Sequence, residues 1–199
     1  MSIIGSVLSR HFGVQKETLV IPLRNVQAHF NELVLRHVKK SHANNTYRYS
    51  LDIFDLREPG RYATHPGIYW ENEFGFVLCA QEVPIAVVGF EKRSTYLFIQ
   101  QMQGVKGARE YLLPLRWEQL LYRIVILFGR KIGVREIRVL PSFRSIYHPF
   151  RNDQAVGNLS LGECYARAKR LRRIYDEESQ RCGFKLGERI HTYTMSLSQ

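Results

Sequence analysis

The chain has 199 residues, 45% hydrophobic and 24% charged, which excludes a disordered or fibrous chain and leaves a packed globular one. Its 29 Lys and Arg against 18 Asp and Glu give a formal charge of +11, so its partners are expected among phosphates, nucleic acid, anionic lipid or acidic protein. Three cysteines, Cys79, Cys164 and Cys182, are too few and too far apart for a disulfide framework or a thiolate zinc site, and they fit a reducing, cytoplasmic setting.

The opening MSIIGSVLSRHF lacks the basic lead and full apolar stretch of a secretory signal, and no run is long enough to span a bilayer. With no repeat or Pro/Ser-rich linker, residues 1–199 read as a single domain, in which 1–73 lead into a core of 74–197. Val26, Phe30, Leu33, Val34 and His37 recur at helical spacing and predict a helix over 25–40. Residues 46–54 alternate polar and apolar positions as a half-buried strand does, and Glu58, Pro59 and Gly60 then turn the chain. Apolar runs at 74–80, 85–91 and 95–102, with hairpin spacing between the first two, predict a three-stranded antiparallel meander.

Past Gly104 and Gly107, the stripe Trp117, Leu120, Leu121, Ile124, Val125 and Phe128 predicts a helix over 115–131, with Gly133 as its C-terminal cap. A strand at 135–140 follows, then a long, polar, aperiodic segment over 142–161 of the kind that is functional or disordered. A second long helix is expected over 163–181, carrying Cys164, Ala168, Leu171, Tyr175 and Cys182 on its narrow apolar side, and a strand at 188–197 closes the chain. The fold class is therefore α/β in the α+β sense, a mixed and mostly antiparallel sheet flanked by helices.

This order (three strands, a glycine-bearing loop, a helix, a strand, a helix, Gly183-Phe184, a strand) resembles the GNAT superfamily of acyltransferases over residues 74–197. The resemblance implies that coenzyme A phosphates bind where the third meander strand runs into the next helix. Unpaired amides and the helix dipole favour an anion there, and glycine lets the backbone approach it. The residues so implied are Gln101, Gln103, Gly104, Val105, Lys106, Gly107, Ala108 and Arg109; Gln101 and Gly104 meet the family pattern, and Lys106 stands where a second small residue is usual. The alternative is a plain glycine turn.

The family's proton donor is an aromatic residue four before Gly-Phe. Ser179 occupies that position, Tyr175 lies one turn further back, and as a core tyrosine it would have its hydroxyl at the edge. Glu118 and Glu91 are the carboxylates left as candidate bases, because the third strand carries Gln100 and Gln101 where relatives place an acid.

Charge is concentrated. Residues 103–173 hold 15 Lys and Arg against 5 Asp and Glu, +10 of the +11, and Arg167, Lys169, Arg170, Arg172 and Arg173 crowd one helical segment. Such a run is either a solvated face or a grip on RNA, DNA or an acidic carrier protein. The seven histidines are scattered, and no metal site is expected. Two functions follow: transfer of an acyl group from coenzyme A or another thioester donor to an amine, or a non-catalytic GNAT-like module that binds nucleic acid or a partner through the basic helix.

Overall fold

A computed structural model of the chain describes residues 16–55, 62, 65–70, 72, 74–145, 147–150, 159–187 and 192–197, with side chains in the first helix from Val26 onward. The opening segment, the turn expected at Glu58 to Gly60, residues 151–158 of the long loop and 188–191 of the last expected strand lie outside these residues.

The first helix, α1 (Lys16–His37), begins nine residues before the expected start and ends three before the expected end. Val26, Phe30 and Val34 are buried, as their spacing requires. Strand β1 (Tyr49–Asp55) pairs antiparallel with β2 (Phe74–Ala80), β2 with β3 (Val83–Lys92), and β3 with β4 (Tyr96–Gly104). The β2–β3 turn is tighter than the apolar runs suggest. Only Gln81 and Glu82 form it, both at positive φ, so the two-residue hairpin geometry is built here without glycine.

A short helix, α2 (Arg109–Leu112), precedes the main helix α3 (Trp117–Lys131). Pro114 separates them: Leu113 before it is still helical in backbone, but the proline has no N–H with which to carry the ladder on. The connector instead pairs with the end of α1: the Lys39 amide donates to Pro114 C=O at 2.8 Å and the Arg116 amide to His37 C=O at 2.9 Å. Gly133 ends α3 at positive φ, as expected.

Strand β5 (Glu136–Val139) runs parallel to β4, and β7 (Tyr193–Ser196) pairs antiparallel with both β5 and β6 (Lys185–Leu186). The result is one seven-stranded sheet in the order β1-β2-β3-β4-β5-β7-β6, mostly antiparallel with a single parallel pair, the mixed helix-flanked sheet anticipated above. Phe128 of α3 sits among Phe74, Phe76 and Phe90 with ring centroids 5.4–6.3 Å apart, so the aromatic core lies between this helix and β2–β3. On the opposite sheet face, Trp70 covers Gly75 and Asn72 covers Gly89, with Trp70 stacked on Phe54. No helix among the described residues is long and apolar enough to cross a membrane.

The last helix starts two residues earlier than expected, because Ser160 and Glu163 form a capping box in which the serine side chain accepts from the Glu163 amide and the glutamate accepts from the Ser160 amide. It is α-helical as α4 (Leu161–Leu171), widens to a π turn over Arg172–Glu177, and finishes as α5 (Glu178–Arg181). A π turn leaves carbonyls outside the α-helical ladder. Here Tyr122 Oη donates to Ile174 C=O at 3.1 Å, and Ser179 Oγ donates to Tyr175 C=O at 2.6 Å.

Candidate functional site

Pairing between β4 and β5 stops at Ile99 and Val139, and the last bond between the two segments runs from the Leu140 amide to Ile99 C=O. From Gln100 onward the β5 side of β4 has no strand beside it. The Tyr175 hydroxyl stands there instead, accepting from the Met102 amide at 2.9 Å and donating to Gln100 C=O at 3.2 Å. A bulge between Gly89 and Phe90 on β3 makes Gln100 the extra residue of β4 at this point. Tyr175, read from its helical stripe as a core tyrosine, is buried, but its hydroxyl pairs with the strand edge where the sheet divides.

Beyond this opening β4 continues through Gln103 and Gly104, two residues further than its apolar pattern indicates, held by pairing with Val87 and Ala86. The loop that follows is a turn closed by the Ala108 amide on Val105 C=O, and the Val105 amide is taken by Ile85 C=O. The amides of Lys106, Gly107 and Arg109 have no backbone partner among the described residues. Gly107 has φ +88 with open space around it, and Gly104 is overhung: a Cβ there would stand 3.1 Å from Leu112 Cδ1 and 3.7 Å from Arg170 Nη2.

The loop opens into a cleft of about 1280 Å³ between the start of α3 and the last helix. One wall is Gln103, Gly104, Val105, Lys106, Gly107 and Arg109, continued by Arg116, Trp117 and Glu118; the other is Ala166, Lys169, Arg170, Arg173, Glu177, Glu178 and Arg181. Lys39, Gly67 and Tyr69 complete the rim. Eight cationic side chains and three carboxylates line it. Glu118 pairs with Arg173 at 2.5 Å and Glu178 with Arg181, while Lys106, Arg109, Arg116, Lys169 and Arg170 have no carboxylate partner among the described residues. The potential in the cleft is therefore strongly positive. Burial pushes the Glu118 carboxyl above its usual value, against the opposing pull of Arg173.

Several expected site residues are placed elsewhere. Gln101 is buried and its amide donates to Tyr69 C=O, and Ala108 is buried in the turn, so neither lines the cleft. Glu91 pairs with Arg93 near the far end of β3 and faces no part of the cleft, and Ser179 spends its hydroxyl inside its own helix. The basic run does not form one face. At roughly 100° per residue, seven consecutive helical positions span nearly two turns. Lys169, Arg170 and Arg173 face the cleft, Arg167 lies over the Tyr147 ring, and Arg172 sits 4.0 Å from Glu177. Lys39, Arg116 and Arg181 join the cleft from three distant segments, and no local pattern marks them.

No family model matches the chain, and no curated protein matches it. Among solved structures, Ard1 from Thermoplasma volcanium superposes on 76% of this chain and 99% of its own with a TM-score of 0.37 and 10% identity. A likeness that loose carries no functional argument. The fold assignment rests on the strand order and on the division of β4 from β5. Among the described residues no group of three or more His, Cys, Asp or Glu is placed to hold a metal ion.

Proposed function

We propose that the protein is a GNAT-like acyltransferase that takes an acyl group from a phosphate-bearing thioester donor of the acyl-coenzyme A class and passes it to an amine. The observation that carries this reading is the division of β4 from β5 beside a cation-lined cleft, with a tyrosine hydroxyl at the point of division. The cleft is larger than the few hundred to roughly 1,000 Å³ of most small-molecule sites, so it suits a long ligand with several phosphates.

Lys106, Arg109 and Arg170 would hold phosphate oxygens, with the Lys106 and Gly107 amides as further donors. When bound, the donor supplies the acyl group as a thioester. The Met102 amide, once Tyr175 turns off it, is a strand-edge donor able to polarise a carbonyl oxygen, and a fixed N–H costs no reorganisation at that moment. Tyr175 holds at its Oη the proton that a departing thiolate needs, now parked on Gln100 C=O, and the proton shed by the attacking amine restores the phenol. Glu118 holds Arg173 and is a positioning residue.

Isothermal titration calorimetry with acetyl-coenzyme A, longer acyl-coenzyme A and acyl carrier protein tests the reading. Binding to one of them, weakened at least tenfold by Arg170→Glu and accompanied by thiol release when an amine is added, is the expected result. If none binds, the reading fails.

A further inference from the structure

A second surface, outside the cleft, has its own chemistry. Phe143 and Phe150 are each 53% exposed and Tyr165 is 61% exposed, which is uncommon for three neighbouring rings in a chain whose other aromatics mostly fill the core. Two of them are in contact, with Phe150 5.1 Å from Tyr165, and the His148 ring lies 6.0 Å from Phe150. Two guanidinium groups lie over rings of this region, Arg144 at 6.0 Å from the Phe143 centroid and Arg167 at 5.7 Å from that of the half-buried Tyr147.

The surface is held in shape. Ser142 donates to the Asp176 carboxylate from both its amide, at 2.9 Å, and its hydroxyl, at 2.6 Å, tying the segment to the π turn of the last helix. Ser145 is buried beneath, its amide donating to Ser142 C=O and its own C=O accepting from the His148 amide at 3.0 Å. Rings fixed in this way lose little entropy on binding. Charge selects the partner. Of the basic residues in 142–150 and 159–173, Lys169, Arg170 and Arg173 face the cleft and Arg172 sits 4.0 Å from Glu177, so Arg144 and Arg167 are the cations of this surface.

We propose that Phe143, Arg144, Tyr147, Phe150, Tyr165 and Arg167 form a docking platform for single-stranded nucleic acid, with bases stacked on the exposed rings and phosphates on the guanidinium groups. Stacking needs open base faces, which a duplex keeps inside, and exposed rings with guanidinium groups beside them suit the bases and phosphates of a single strand. The platform shares no residue with the cleft, so it stands or falls independently of the acyltransferase reading.

Fluorescence anisotropy with a labelled 15-nucleotide uridine strand, a duplex of the same length and phosphatidylserine vesicles tests it on the intact chain. The single strand is expected to bind best. Phe150→Ala and Tyr165→Ala should each weaken binding about fivefold or more, while Tyr165→Phe, which keeps the ring, should bind as the parent does. Arg144→Ser with Arg167→Ser should flatten the log–log salt dependence by roughly 1.4, at about 0.7 per lost phosphate contact. Arg144, Phe150 and Tyr165 are exposed and Arg167 is half-buried, and an unchanged melting temperature confirms that the variants fold. Duplex or vesicle binding as tight as that of the strand, or ring variants that bind like the parent, would overturn the proposal.

Discussion

Replacing Tyr175 by Phe removes one oxygen from the place where the sheet divides and leaves the ring in its socket. The hydroxyl makes two hydrogen bonds, at 2.9 Å with the Met102 amide and at 3.2 Å with Gln100 C=O. Each is worth about 1 kcal/mol net, and a buried group deprived of its partner costs about 1–3 kcal/mol because it gives up water as well. Met102 is buried and Gln100 half-buried, and neither lines the cleft, so the loss should be about 2–4 kcal/mol. Urea denaturation should show a lower midpoint with an unchanged slope, since the surface exposed on unfolding is the same. Hydrogen exchange at the Met102 amide should accelerate in the native state. The reasoning on chemistry adds that acyl transfer should fall by about 10²–10⁴-fold while donor affinity holds, the range for a lost proton donor. A stability change under about 0.5 kcal/mol together with unaltered exchange at Met102 would refute the structural argument, and full turnover in the variant would refute the chemical one.

Burial raises the Glu118 carboxyl, so the folded state keeps that proton to higher pH than the unfolded chain does. Stability owed to this group is therefore whole below the usual glutamate pKa and is lost as pH rises through the raised one, so the stability of wild type minus that of Glu118→Gln should fall as pH rises above about 4 in paired urea melts; a difference that grows with pH would contradict it. Gly75→Ala places a Cβ 2.4 Å from the Val88 carbonyl oxygen in the sheet ladder, where backbone cannot step aside, and should cost about 3 kcal/mol or more in thermal melts. Cys182 is buried with its thiol pushed up to about 11, and Cys79 and Cys164 are buried too, so iodoacetamide at pH 7.5 should label none of the three within the time that fully labels the urea-unfolded chain, as mass spectrometry will show. Gly107→Ala, at φ +88 with no steric neighbour, should cost about 1 kcal/mol of strain in urea melts.

Elements with dense local patterns are legible in the amino-acid sequence. Helix α3 and the meander declare themselves because their apolar residues recur at one period over whole elements, and all six of the stripe residues named for α3 are buried. The capping box Ser160-Leu161-Gly162-Glu163 was equally present, and giving it weight would have placed the helix start correctly. The end of β4 was not readable. Gln103 and Gly104 look like loop residues, and what makes them strand is pairing with Val87 and Ala86 of β3, with the Gln103 side-chain amide donating to Gly67 C=O.

Sequence alone determined the period of each long element, the order in which strands and helices follow, and the confinement of positive charge to one stretch of chain, because each is a property of neighbours along the backbone. Only the tertiary structure decided that the basic run splits between a cleft and an exposed aromatic surface, that Lys39, Arg116 and Arg181 converge on that cleft, and that Tyr175 reaches the β4 edge. A π turn and a parted strand pair frame those relations, and the Tyr175 bonds to Met102 and Gln100 join residues more than seventy positions apart, which no local pattern encodes.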